Sequence, residues 1–271
     1  MKSKIVRDEF SMAFLSCAVS RHFSSLAECM EHLQLRYRPS AAVPAPLPGT
    51  DRPFPPHLFR GEPGIYDSTH SVRARIELAF PGEMARTQKR LSNLIAYCQE
   101  RLAGTIHGFS LQERTAFLQH YGLPGYGLDT SADLPTAAYF ASAGDTDRIK
   151  LIAVIDTTKL LQHRPMPLDL SSGRFGSRPA NQKAVTIFLN PRDNFKHPFL
   201  TSLLGIQWYS FVLTATDRIQ YHPSWDFLTR GDGFYAALVP MFVKEYERAY
   251  GRIHSKLRPW FPDSTRTALI S

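Results

Sequence analysis

Three short stretches of the chain contain residues suited to binding and reacting with a phosphorylated ligand. They are Arg60-Gly61, Asp129-Thr130-Ser131 and Gln182. An arginine guanidinium binds phosphate oxygens in a planar, bidentate arrangement, and a glycine beside it lets a flat ligand group approach the backbone. A carboxylate stabilises positive charge that develops on a sugar, while hydroxyl and amide side chains bind sugar hydroxyl groups. The residue types therefore predict a site with Arg60 as its cation and Asp129 as the group that stabilises positive charge.

Two of these stretches also have an ordinary structural interpretation. An Arg-Gly pair occurs as a surface arginine followed by a turn glycine. Asp129 either stabilises a developing cation or makes a local bond within a turn. Helix capping explains it less well, because Asp133 followed by Pro135 is the better-placed pair for that role. Both interpretations remain open on the sequence alone.

Three ring-bearing side chains near these stretches are further candidates for the site. His120 follows a helical pattern, so it either contacts a phosphate or is a C-terminal helix histidine stabilised by the helix dipole. Tyr126 and Tyr139 either stack on a flat ring of the ligand or belong to the core.

A basic segment, GRFGSRPANQK at residues 173–183, surrounds Gln182. Its cations are Arg174, Arg178 and Lys183, and they either contact a ligand phosphate or nucleic-acid backbone or form a solvated loop. A second basic stripe recurs at every fourth position near the C-terminal end, at Lys244, Arg248, Arg252 and Lys256. Glutamates interleave with that stripe, which favours a solvated helix face.

The helices that must position these residues are predicted from caps and apolar periodicity. Ser25 with Glu28 and Ser110 with Glu113 match the capping box, so helices are expected to follow each serine. The stretch 84–102 has one apolar face and ends before Gly104, and the helix after Ser110 is expected to end at Gly122. A further helical pattern covers 232–250, with a kink or break at its proline, Pro240.

The strands are predicted from β-rich runs bounded by Gly, Pro or Asp. A short one emerges at Leu58–Gly61, and three longer ones lie in the second half of the chain, at Arg148–Asp156, Ala184–Leu189 and Gly205–Leu213. The expected fold class is α+β, with a modest, largely antiparallel sheet flanked by helices.

Domain boundaries follow from one biased segment. Residues 38–57 hold seven prolines and little apolar periodicity, so an extended, semi-rigid connection is expected there. It separates an N-terminal helical segment, 1–37, from a single main domain, 58–271.

Composition limits the class of protein and the kind of partner. The 271 residues are 43% hydrophobic and 21% charged, which is typical of a folded globular protein. A formal net charge of +8 favours phosphorylated or polyanionic partners, nucleic acid among them. Three widely spaced cysteines argue against a disulfide framework or a structural zinc site, and no run is long enough to span a membrane, so we expect a cytoplasmic protein without a metal. The sequence does not predict an oligomeric state.

Several common catalytic motifs are missing from the sequence. It contains no P-loop, no GxGxxG after a strand, no HExxH and no GxSxG. Kinase, dehydrogenase, zinc hydrolase and α/β-hydrolase functions therefore lack their usual residues.

The order of four motifs resembles the FRG domain family. These are FRG at 59–61, LQHYGLP at 118–124, LDTSADLPTAAYFA at 128–141 and RPANQ at 178–182. The resemblance covers roughly residues 25–213, and its most specific part is 120–141. It implies that residues 58–271 form an FRG-like α+β domain.

The same parts are similar, more distantly, to NAD-dependent ADP-ribosyltransferases. Those enzymes use an Arg-Gly on a strand, a Ser/Thr-rich strand before an Ala- and aromatic-bearing helix, and a Glu or Gln on a third element. The resemblance implies an ADP-ribosyltransferase-like fold and NAD as substrate. Arg60 and Gly61, Thr130 and Ser131, Tyr126, Tyr139 and His120 would then bind NAD, and Asp129 and Gln182 would act on the ribosyl cation.

Two functions follow as expectations from these resemblances. The first is an NAD-using ADP-ribosyltransferase or NAD glycohydrolase, acting as an intracellular toxin or defence effector on a target that includes nucleic acid among its candidates. The second is a non-catalytic FRG module that holds a nucleotide or nucleic acid, since Gln182 stands where the transferases usually have Glu.

Overall fold

The fold is known from a computed structural model that describes residues 13–37, 54–65, 71, 74, 84–121, 125–163, 167–188, 190 and 193–222. The chain divides into two compact units. Unit 1 comprises Met1–Thr69, Thr130–Pro167 and Asn194–Ser224, and unit 2 comprises His70–Asp129, Leu168–Asp193 and Trp225–Ser271.

The described strands form a seven-stranded, mostly antiparallel open sheet. In chain order they are β1 Val19–Phe23, β2 His57–Glu62, β3 Gly127–Ser131, β4 Ile149–Asp156, β5 Leu168–Asp169, β6 Ala184–Phe188 and β7 Ile206–Val212. The strand order is β1-β7-β4-β2-β3-β6-β5. Strand β1 runs parallel to β7, whereas β4 is antiparallel to both β7 and β2. The division between the units falls within β3, at Asp129 and Thr130.

The helices are interspersed with the strands along the chain. They are α1 Leu26–Arg36, α2 Met84–Arg101, α3 Leu111–His120, α4 Leu134–Ala141, α5 Thr157–His163, α6 Ser177–Asn181, α7 Pro198–Leu203 and α8 Ala215–Tyr221. Residues 13–17 are also helical, and Gly173–Phe175 form a 3₁₀ turn.

The core of unit 1 lies between one face of the sheet and helices α1 and α4. Leu26, Met30 and Leu33 of α1 are 0–2% exposed and pack in one cluster with sheet residues such as Phe59 and Ile152. The apolar periodicity of α1 therefore faces the sheet, as its spacing predicts.

The core of unit 2 contains an aromatic cluster. The Phe117 ring lies 5.7 Å from Phe109 and 4.9 Å from Tyr121, and Phe109 lies 4.9 Å from Phe175. The Tyr121 hydroxyl donates to the Phe175 carbonyl at 3.1 Å, so the polar end of this buried ring is satisfied.

The predicted elements agree closely with the described ones. The four predicted strands correspond to β2, β4, β6 and β7, and the helix predicted over 84–102 ends at Arg101. Helix α3 has its capping box at Ser110 and Glu113, and ends at His120 rather than Gly122. The fold class, α+β with a largely antiparallel sheet, is confirmed.

The N-terminal segment differs from its predicted form. The sequence predicts helices there, but residues 19–23 form β1 and pair with β7 in the sheet of unit 1. The apolar face of α1 needs a partner, and the sheet of unit 1 supplies it. Residues 38–53 of the proline-rich connection, the helical pattern at 232–250 with Pro240, and the stripe Lys244, Arg248, Arg252 and Lys256 lie outside the described residues.

Candidate functional site

The predicted site residues are distributed over both units. Unit 1 contains Arg60, Gly61, Thr130, Ser131 and Tyr139, and unit 2 contains His120, Tyr126, Asp129, Arg174, Arg178, Gln182 and Lys183. That the two groups bind one ligand is a prediction from the sequence.

Arg60 lies in a short chain of charges on β2. Its Nε–H donates to Glu62 Oε1 at 3.4 Å, and the other carboxylate oxygen of Glu62 lies 2.8 Å from Lys196 Nζ. Glu62 and Lys196 are buried, with side chains 3% and 0% exposed, whereas the Arg60 side chain is 23% exposed. Two cations, Arg60 and Lys196, therefore contact the Glu62 carboxylate. Of these three side chains, the Arg60 guanidinium is the partly exposed one.

Lys196 is held by aromatic rings as well as by Glu62. Its ammonium group lies 5.4 Å from the ring centroids of both Phe14 and Trp208. The negative ring faces stabilise an ammonium that has lost its water. Sequence reasoning missed both Glu62 and Lys196, although the Glu directly after FRG and a lysine beside Phe195 were visible signals.

Thr130 lies on the same face of the unit 1 sheet as Arg60. Ser131 pairs with Phe59 across β2 and β3. Side chains alternate between the faces of a strand, so Thr130 and Arg60, each one residue along, share the other face. Thr130 is 6% exposed.

Ser131 has a local structural role. Its hydroxyl accepts a hydrogen bond from the Asp133 N–H at 2.9 Å. Asp133 in turn caps α4 by accepting from the Thr136 N–H at 3.1 Å, as the sequence predicts. These two polar contacts fix the strand-to-helix turn.

Gly61 of β2 lies directly against helix α4. A Cβ at this position would lie 2.6 Å from the Ala141 nitrogen and closer still to the Ala137 carbonyl oxygen. The missing side chain therefore lets α4 pack on β2, which gives Gly61 a structural explanation in place of the predicted approach to a flat ligand group.

Tyr139 is a buried residue of α4. Its ring stacks on His222 with the centroids 4.5 Å apart and the planes 15° apart. One face of the tyrosine ring is therefore covered by a residue of unit 1, which agrees with the core interpretation.

Asp129 is oriented within unit 2 by two donors. Its Oδ1 accepts from Gln119 Nε2 at 2.9 Å and from Thr186 Oγ1 at 3.2 Å. Gln119 is itself fixed, because its Oε1 accepts from the Gly127 N–H at 2.9 Å. These contacts make the carboxylate part of a small hydrogen-bond network, rather than an isolated turn aspartate.

The glycines of the 125–127 stretch make room for Gln119. A Cβ at Gly127 would lie 2.8 Å from Gln119 Oε1 and nearer still to a methyl group of Thr186, and one at Gly125 would overlap the Gln119 side chain. The two glycines and the amide therefore form one packing unit that supports Asp129. Sequence reasoning missed Gln119, because nothing in its neighbours marks it as more than a helix residue.

The other predicted residues of unit 2 are mostly buried. His120, Arg178 and Gln182 are 6%, 8% and 3% exposed, and the Arg178 guanidinium lies 6.0 Å from the Tyr121 ring centroid. Gln182 is the C-terminal cap of α6. Tyr126 is half-buried.

The two exposed cations of the basic segment have different surroundings. Arg174 forms an ion pair with Glu113 and lies over the rings of Phe109 and Phe175, at 5.5 and 4.6 Å. Burial raises the pKa of Glu113, but its bonds to Ser110 and the Arg174 charge outweigh this and hold that pKa below its usual value. Lys183 is exposed, with a φ of 43°. Arg174 is therefore engaged in the structure of unit 2, which weakens its predicted role as a phosphate contact.

The part of the chain that the structure describes has neither a group of side chains arranged for a metal ion nor a helix suited to crossing a membrane. No group of three or more His, Cys, Asp or Glu residues there is arranged to hold a metal ion. Among the same residues, no helix has the length and apolar character needed to cross a membrane.

Comparison of the chain with protein-family models, with curated proteins and with solved structures gave no match.

Proposed function

We propose that this chain binds NAD and breaks its nicotinamide–ribose bond, passing ADP-ribose either to an acceptor or to water. The order of the FRG-like and ADP-ribosyltransferase-like motifs motivates the proposal. One geometric observation carries it, namely the partly exposed Arg60 beside the buried Glu62–Lys196 pair.

The charges around Arg60 favour an anionic ligand. Arg60 and Lys196 are both cations in contact with the Glu62 carboxylate. Of the two, the guanidinium is the side chain better suited to phosphate oxygens. The two buried members are held in place, and the partly exposed guanidinium is the group an incoming phosphate meets. A guanidinium that is already oriented loses less entropy when it binds a diphosphate.

Thr130 adds a hydroxyl on the same face as Arg60. A hydroxyl both donates and accepts, so it suits the hydroxyl groups of a ribose. Cation and hydroxyl on one face of one sheet are the minimum that a phosphorylated sugar requires.

The role proposed for Asp129 concerns the chemical step. Breaking the bond to nicotinamide builds positive charge on the ribose, and a carboxylate that is already oriented stabilises that charge without reorganising. The bonds from Gln119 and Thr186 supply that orientation within unit 2.

The alternative function, a non-catalytic module that holds a nucleotide, is favoured by Gln182. This residue is an amide where the transferases usually have a carboxylate, and it is 3% exposed at the end of α6. In that case Arg60 would bind NAD and no nicotinamide would be released.

The binding half of the proposal is tested by calorimetry with NAD. Arg60→Gln removes a charge-assisted contact to phosphate, and we expect affinity to fall at least about ten-fold, the lower end of the range for bonds to charged groups. Arg148→Gln is the matched control, because Arg148 is an exposed arginine of the same unit.

Two further ligands make the binding test specific to phosphate. ADP-ribose keeps the diphosphate and should show the same loss in Arg60→Gln, whereas nicotinamide alone should not. If the wild-type protein does not bind NAD, or if the Arg60 and Arg148 variants bind it equally well, the assignment of Arg60 is wrong.

A further inference from the structure

A cluster of basic side chains lies where β1 meets α1. Arg21 is exposed on β1, and its guanidinium donates to His32 Nδ1 at 3.4 Å. His32 and the exposed Arg36 lie one helical turn apart on α1. None of these residues was a candidate in the sequence analysis.

Aromatic rings and an amide, in place of carboxylates, hold these cations. Arg21 lies 5.0 Å from the Phe23 ring centroid and Arg36 lies 5.7 Å from that of Tyr37. Arg36 also donates to Gln207 Oε1 at 3.4 Å. Among the described residues, neither guanidinium forms an ion pair.

The surroundings of His32 are equally poor in negative charge. Its ring packs against Phe23 and Tyr209, and the charged or titratable groups facing it are Arg21 of β1, Arg36 of α1 and the Tyr209 phenol of β7. Glu28, one turn earlier on α1, has a carboxylate oxygen engaged by the N–H and hydroxyl of Ser24. Burial lowers the pKa of His32, and the charges of Arg21 and Arg36 lower it further.

Arg21 and Arg36 both act electrostatically on His32, and among the described residues neither forms an ion pair. Cations kept close together in this way are suited to an anionic ligand. We propose that Arg21, His32 and Arg36 form a binding surface for the phosphate backbone of a nucleic-acid strand. This surface is independent of the proposed NAD chemistry and needs neither Arg60 nor Asp129.

A nucleic-acid strand fits this surface better than an anionic membrane. Guanidinium groups match the geometry of single phosphates, and a strand can place successive phosphates at a localised cluster. A bilayer presents a plane of negative charge, which would also meet the exposed Glu28 and Glu31 of α1. The net charge of +8 adds long-range attraction for a strand.

The test is fluorescence anisotropy with a labelled oligothymidylate of about 12 nucleotides, a length within the site sizes of single-strand binders. Arg21→Gln and Arg36→Gln should each weaken binding about ten-fold. Each should also lower the slope of log affinity against log salt concentration by about 0.7, because each loses one phosphate. Arg101→Gln is the control, since Arg101 is an exposed arginine that also lies over a tyrosine ring.

Two readouts separate the proposal from a loss of folding. The thermal midpoint of the Arg21→Gln/Arg36→Gln double variant should change little, because the like-charge repulsion that is removed offsets the lost contacts to Phe23, Tyr37 and Gln207. By NMR, with the signal assigned through His32→Gln, the pKa of His32 should rise when the oligonucleotide binds, since phosphate favours the imidazolium. Binding should accordingly tighten as pH falls through that pKa.

Three outcomes would overturn the inference. One is equal binding by the wild type and the double variant, and another is an equal loss in Arg101→Gln. The third is binding to phosphatidylserine vesicles without binding to the oligonucleotide, which would assign the surface to membranes instead.

Discussion

Glu62 and Lys196 form a buried ion pair whose partners depend on each other. Taking a charge out of water is costly, and the opposite charge of Glu62 together with the Phe14 and Trp208 rings helps to offset that cost for Lys196. Glu62 also accepts from Arg60, so a change at Glu62 reaches the candidate ligand-binding group as well as the core.

Glu62→Gln should therefore destabilise the protein by about 3 kcal/mol, because it leaves the Lys196 ammonium buried without its counter-ion. Urea unfolding measures the loss. Combining it with Lys196→Met removes the uncompensated charge, and the double variant should be more stable than Glu62→Gln alone. If the two single-variant losses simply add, the pair is not coupled and this account of Lys196 is incorrect.

Helix α4 shows how a motif in the sequence becomes a packing requirement. Asp133 caps α4, and Gly61 lets α4 lie close to β2. The glycine at position 61 is therefore required by the packing of α4 on the strand. A side chain at position 61 would have to displace helix backbone, which cannot yield as a flexible side chain can.

Gly61→Ala should consequently destabilise the protein by about 3 kcal/mol, near the upper end of what overpacking usually costs. Gly104→Ala is the comparison, because a Cβ there meets nothing within 4 Å, and its effect should stay within roughly 0.5 kcal/mol. Thermal unfolding of both variants checks the prediction. A Gly61→Ala protein as stable as the Gly104 variant would show that α4 is not held against β2 in this way.

Many of the helices and strands can be predicted from local sequence patterns, whereas contacts between residues far apart in the chain cannot. The capping box at Ser110 and the β-rich runs at β4 and β7 depend on neighbouring residues, so they can be recognised in sequence. The pairing of β1 with β7 joins residues nearly 190 positions apart, as in the His22–Ser210 contact, and no local pattern encodes it. Gln119 and Lys196 were missed for the same reason, because their roles come from distant partners.

At the scale of the whole molecule, the chain carries its candidate groups on two units. Arg60 and Thr130 belong to unit 1, while Asp129, Arg178 and Gln182 belong to unit 2. The sequence predicts a single main domain over 58–271, because the one biased segment that could act as a linker lies at residues 38–57. A test of the proposed function must therefore measure turnover of the substrate.

The central claim, cleavage of NAD, is tested most directly by nicotinamide release from labelled NAD, followed by chromatography. The wild-type protein should release nicotinamide, and Asp129→Asn should slow release about 100-fold, the scale of losing one preorganised electrostatic contact to the transition state. The asparagine keeps an oxygen for Gln119 and Thr186, so the fold and the affinity for NAD should hardly change. Absence of nicotinamide from the wild-type reaction, with or without nucleic acid and cell lysate as acceptors, would contradict the claim, and so would an Asp129→Asn protein that cleaves NAD at the wild-type rate.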